Sequence, residues 1–323
     1  MRSSRLGLLA LITISVLFAT NCGQFSRIMS RKNLVDGSAA YKERKFAEAE
    51  DLFRRAAARD PEGSTTEGRI AQVFLARTLH SQYIGNRKET AKAEEAIGAY
   101  KKAIALDKND QSSYKAVASL LDNLQRGDEW QAWVTERANN SEIAPQNRAE
   151  ALTSLAARKN TCANEVTDTE KTKKTVKKDG KDVFQWVKPE DPADLEELRA
   201  CVTDGLKLID EAVALEPPAV KNAKNLDVKS LTDEQLKQNL DLFKVFEPAR
   251  SYKASLDAQA MRLADMDGRT ADRDALKAQA DAGRSLFLEL SNVDKAIQDE
   301  MDARRTAAEE AENANANANA TTK

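Results

Sequence analysis

The sequence predicts an all-α protein of antiparallel helix pairs, and three observations carry that prediction. Ala, Glu, Lys, Leu and Arg make up 49% of the 323 residues, close to the ~50% that marks long or coiled helices. Gly (12) and Pro (7) are scarce, and the continuous Val/Ile runs of a parallel sheet are missing, so sandwich, barrel and doubly wound folds are disfavoured. A pattern of small and aromatic residues also recurs along the chain at the spacing of helix pairs. Charge is dense but balanced, 50 basic residues against 52 acidic, so no global field recruits nucleic acid.

The first element is an export signal. Arg2 and Arg5 precede the apolar run 6–18, too short to span a bilayer but suited to a signal-peptide core, giving a signal peptide over 1–21. The run ends in Ala19-Thr20-Asn21-Cys22-Gly23, which resembles a bacterial lipobox with Cys22 as the lipidated first mature residue. Gly23 rather than Asp after it resembles outer-membrane sorting, so the resemblance implies an outer-membrane lipoprotein facing the periplasm, tethered through its N-terminal lipid. Asn21 stands where a small residue is usual, and a soluble periplasmic protein is the alternative. Residues 22–32 then read as a linker.

Repeats occupy 33–217. In the stretch GSAAYKERKFAEAEDLFRRAAARDP, Gly37, Phe46, Ala49, Phe53, Ala56 and Pro61 stand at the main signature positions of the tetratricopeptide (TPR) repeat, which this stretch resembles. Gly37 and Ala49 let two helices approach closely, Phe46 and Phe53 fill the space between repeats, and Pro61 cannot continue the second helix. A second unit has Leu75-Ala76 on its first helix and Ala96-Ile97-Gly98-Ala99 on its second. A third, from Tyr114, is weaker: its second helix carries Trp130 and Trp133 in place of a small residue.

The fourth unit sets Leu155-Ala156 on its first helix and Gly205, Ile209, Ala212 and Pro217 on its second. Cys162 and Cys201 fall at facing places of that hairpin, and in an oxidising compartment a disulfide between them is expected, with two buried thiols as the alternative. The insertion 166–192 between them reads as a β-hairpin around Asp179-Gly180, a type I′ turn dipeptide, with Val176 opposite Val183 and with Thr175, Phe184, Lys173 and Trp186 on the other face. Phe184 and Trp186 are expected to dock on the helices; a partner-contact arm is the second reading.

A helical pair follows over 218–310. Thr232 with Gln235 forms a capping box, Leu231 with Leu236 a staple, Pro248 a kink and Gly268 a stop. Leu286, Leu290, Val293, Ile297 and Met301 form one stripe on the last helix, read as a C-terminal cap. The polar, low-complexity segment 311–323 is expected to be disordered.

No phosphate loop, metal-ligand spacing or nucleophile motif is found, so no catalytic residue, metal or cofactor is expected, and the chain reads as a non-enzyme. His80, the lone histidine, lacks a partner carboxylate legible in the sequence. The TPR resemblance implies a concave surface of first helices that holds a protein or peptide partner, at Ser38, Tyr41 and Lys42, then Arg77, His80 and Ser81, then Lys115 and Ser119. It implies an assembly or scaffold lipoprotein of the cell envelope; a glycan- or peptide-capturing lipoprotein is the alternative.

Overall fold

The computed structural model describes residues 24–321. The signal segment and Cys22 lie outside them. The elements are α1 (24–42), α2 (Phe46–Ala57), α3 (Thr66–Gly85), α4 (Thr90–Leu106), α5 (Gln111–Asn123), α6 (Gly127–Asn139), α7 (Pro145–Thr167), β1 (Lys173–Lys178), β2 (Lys181–Trp186), α8 (Pro192–Ala214), α9 (Pro218–Lys221), α10 (Asp233–Met266) and α11 (Thr270–Thr321). The expected all-α class with one small hairpin is therefore what the chain forms. No described helix is long and apolar enough to cross a membrane.

Two boundaries differ from the sequence reading. The linker expected over 22–32 is helical from residue 24, because no Gly or Pro interrupts the chain before Gly37. The single array expected over 33–217 divides into two compact units, one ending at Trp130 and one starting at Gln131. That division falls inside α6, in the repeat whose signature is weakest.

In the first unit, repeat order is visible as hydrogen bonds between residues one repeat apart. Between the first helices α1 and α3, the Tyr41 and Ser81 hydroxyls lie 2.9 Å apart, and Arg27 Nε donates to Glu67 Oε1 at 3.0 Å, both across 40 residues. Arg27, a backbone bond and Arg31 hold the Glu67 carboxyl down to about 2. Between the second helices α2 and α4, Lys92 Nζ donates to Glu50 Oε2 at 2.6 Å across 42 residues. Equivalent helices thus stand side by side at repeat length, the TPR-like arrangement.

Small residues make this closeness possible. A Cβ on Gly37 would stand 2.8 Å from the Phe53 ring, so the fully buried Phe53 reaches its place only because that atom is missing. Ala49, Ala56, Ala71 and Ala76 are equally buried. Phe46 departs from expectation: it is half-buried and meets Tyr41 edge-on, with ring centroids 5.4 Å apart, instead of filling the inter-repeat space.

One turn geometry closes α1, α5 and α10. Lys45, Arg126 and Arg269 donate N–H to carbonyls five residues back, with the preceding residue left-handed: Arg44 (φ 61°), Gln125 (φ 58°) and Gly268 (φ 71°). This is the Schellman stop that glycine prefers. Gln125→Gly should therefore stabilise the first unit by about 0.5–1 kcal/mol, the left-handed penalty less the greater freedom of an unfolded glycine. Urea unfolding checks it, and an unchanged or lower midpoint would refute it.

In the second unit α7 and α8 run antiparallel, tied by the Cys162–Cys201 disulfide and by Lys159 Nζ to Asp204 Oδ2 at 2.7 Å. The hairpin has the expected register, Val176 opposite Val183, Thr175 opposite Phe184 and Lys173 opposite Trp186, with Asp179 (φ 52°) and Gly180 (φ 75°) both left-handed, as type I′ demands. Only one of its aromatics docks. Trp186 Nε1 donates to the Thr167 carbonyl at 3.0 Å, its backbone N–H to Asp265, and Arg262 stacks 5.1 Å from its ring. Phe184 stays 57% exposed because only the Trp186 end of the strand meets α10.

α10 starts at the Thr232–Gln235 capping box, with both reciprocal bonds made, and runs through Pro248 without ending. Gln279 Nε2 donates to Asp257 at 3.1 Å and Arg304 to Asp233 at 2.8 Å, which sets α11 antiparallel to it. Leu290 and Ile297 are fully buried against Phe243, Phe246 and Leu236. Leu286 is not part of that stripe: it is 52% exposed, because α11 there meets the Arg250 guanidinium, which donates to the Leu286 carbonyl at 3.1 Å. The segment from 311, expected to be disordered, continues α11 to Thr321. Its alanines extend an existing helix, which avoids the cost of a new nucleus.

Candidate functional site

α1 and α3 place their exposed faces side by side, and α4 closes the gap beneath them. The resulting open cavity has a volume of about 820 Å³ and lies wholly within the first unit. Its floor is aromatic, with Tyr41, Phe46, His80 and the buried Tyr100, and the exposed Ile84 adds an apolar edge. Its rim carries Lys42, Arg44 and Arg77, and no carboxylate is among its lining residues.

The site is ordered by contacts among its own members. The Tyr41 hydroxyl bonds Ser81, and the Tyr41 ring rests edge-on against Phe46. His80 stands almost perpendicular to Tyr100, at 6.1 Å between centroids and 85° between planes. Arg77 lies over the Phe74 ring at 5.4 Å and donates to Ser112 Oγ at 3.1 Å, which holds its guanidinium at the rim. Burial, helped by the charge of Arg87, pushes the His80 imidazole below its usual pKa, so the ring is neutral at pH 7. Burial also raises the Tyr100 phenol, which keeps its proton. The charge of the cavity is therefore that of its three rim cations.

Of the residues singled out from sequence, Tyr41, Lys42, Arg77, His80 and Ser81 line this one cavity. Ser38 is one turn before Lys42 on α1 and half-buried, outside the lining. Lys115 and Ser119 are exposed on α5, also outside it, with Ser119 Oγ accepting from the Asn123 side chain at 3.3 Å. Arg44, Phe46 and Tyr100 are lining residues that reasoning from first helices misses, and Ile84, on the first helix α3, lines it as well. Arg44 enters through the left-handed turn after α1, and Tyr100 reaches up from a second helix. Phe184, on the hairpin, is exposed with Lys173 Nζ 4.6 Å from its ring, while Trp186 is held in place.

No family model and no curated protein match this chain. Solved structures similar to it include one described as the functional characterization of Pseudomonas aeruginosa pilF, at 13% identity and a TM-score of 0.32, covering 83% of this chain and 97% of that one. A second is a tetratricopeptide repeat protein from Parabacteroides merdae, at 10% identity and a TM-score of 0.31, covering 83% and 99%.

Proposed function

We propose that the chain is a non-enzymatic scaffold or assembly lipoprotein of the bacterial cell envelope, holding a partner protein or peptide in the cavity between α1 and α3. The observation that carries this reading is the lining: an aromatic floor under three rim cations with no carboxylate. A bound segment with acidic residues beside an apolar side chain would match the rim and the floor. A neutral glycan would leave the three rim cations without a counter-charge, and no tryptophan offers it a platform in this cavity.

Tyr41 also packs against the first unit's core, so a test of binding is better made at the rim. Lys42→Glu with Arg77→Glu should change the unfolding free energy by no more than about 1–2 kcal/mol, since Lys42 is exposed and the half-buried Arg77 gives up only its bond to Ser112 and its stacking on Phe74. The same pair should weaken capture of an envelope partner by about tenfold or more. Capture from envelope extract by parent and variant, quantified by mass spectrometry, checks this. A partner retained equally by both would move the binding site elsewhere.

A further inference from the structure

α1 is apolar on two opposite sides. Its inner side, through Leu34, Gly37 and Ala40, is buried in the first unit. Phe25, Ile28 and Val35 lie on the other side, with Lys32 and Ala39 completing a stripe at spacings of 3, 4, 3 and 4. Phe25 is 63%, Ile28 64% and Val35 69% exposed, the three most exposed large apolar side chains among the described residues. A surface helix of a globular domain carries one such stripe; a second one asks for another apolar phase.

We infer that this outer stripe of α1 docks on the membrane surface, laying the helix in the headgroup region. The inference rests on the proposed anchoring at Cys22. Phe25 is three positions after that cysteine, so an acylated Cys22 would hold Phe25 within about 11 Å of its own Cα even with the chain fully extended. Phe25 to Val35 then spans about 15 Å along the helix, enough for a shallow interfacial contact and too little for a span. Lys32 in the middle of the stripe fits the same occupant, its stem lying among the apolar side chains and its ammonium reaching lipid phosphate. A second copy of the chain fits less well: three side chains expose a few hundred Å², well under the ~800 Å² per partner of a stable dimer.

The test places an environment-sensitive NBD label at Ile28→Cys, and at Glu48→Cys on α2 as reference, in the full processed chain. Protein reconstituted into vesicles of phosphatidylethanolamine and phosphatidylglycerol should show iodide quenching several-fold weaker at position 28 than at position 48. Adding Phe25→Ser and Val35→Ser should restore the quenching at 28. Intact mass on the same sample reports the anchor separately. An acylated chain whose label at 28 stays as open to iodide as that at 48 overturns the docking and leaves the anchor standing. A chain without acyl groups overturns the anchor and the docking with it. Sedimentation showing, without vesicles, a dimer that Phe25→Ser and Val35→Ser dissociate would overturn it in favour of self-association.

Discussion

Replacing Arg250 with Ala should destabilise the second unit by about 3–5 kcal/mol, the largest loss expected of a single substitution here. Arg250 and Glu216 are each 7% exposed, and the guanidinium grips the carboxylate with two bonds, Nε to Oε1 at 2.8 Å and Nη2 to Oε2 at 3.0 Å. Two of its remaining donors serve the Val220 carbonyl at 3.2 Å and the Leu286 carbonyl at 3.1 Å. One side chain on α10 thereby satisfies groups from the end of α8, from α9 and from α11. Truncation strands a buried carboxylate and two carbonyls, and the cost comes from those orphans more than from the lost attraction. Arg250→Met combined with Glu216→Leu should recover most of the loss, because two apolar groups of similar size leave the carboxylate out altogether. Urea unfolding followed by hydrogen exchange in α10 measures both. A single-variant loss below about 1 kcal/mol would mean that water replaces the arginine at that site.

The second large effect is expected from the disulfide. Cys162 and Cys201 are separated by 39 positions that include the whole hairpin, so the bridge closes a long loop. Cys162→Ala with Cys201→Ala should cost about 2–4 kcal/mol. The loss should be greatest where the loop rejoins the helices, seen as faster amide exchange in β1 and β2 and a red-shifted Trp186 emission as its contact with Thr167 loosens. Full retention of the thermal midpoint would show that the α7–α8 packing alone suffices.

Much of the fold is legible in the sequence because its determinants are local. Asp179-Gly180 dictates its own turn through two left-handed residues, and a two-residue turn sets the register of both strands. Thr232 and Gln235 cap α10 by bonds that reach only three residues. Gly37 and Gly205, at signature positions of their repeats, mark close helix approach: an added Cβ would stand 2.8 Å from Phe53 and 2.7 Å from Leu256, whereas Gly98 within α4 faces open space. The candidate site is legible in part for the same reason: Tyr41, Lys42, Arg77, His80 and Ser81 follow from the exposed face of first helices, which helical periodicity locates.

The helix pairs, their order, the hairpin and the placement of Cys162 and Cys201 at facing places are therefore written in the chain, all of them consequences of interactions within one element or one hairpin, while the bridge itself is seen in the structure. Packing sets where those elements meet. It left Phe184 and Leu286 in solvent although their patterns mark them for burial, because burial needs an apolar neighbour, and the neighbours there are open solvent and the Arg250 guanidinium. It brought Tyr100 and Phe46 into the cavity, and it divided the chain within α6. Periodicity states which face of a helix is apolar; only packing states what, if anything, that face touches.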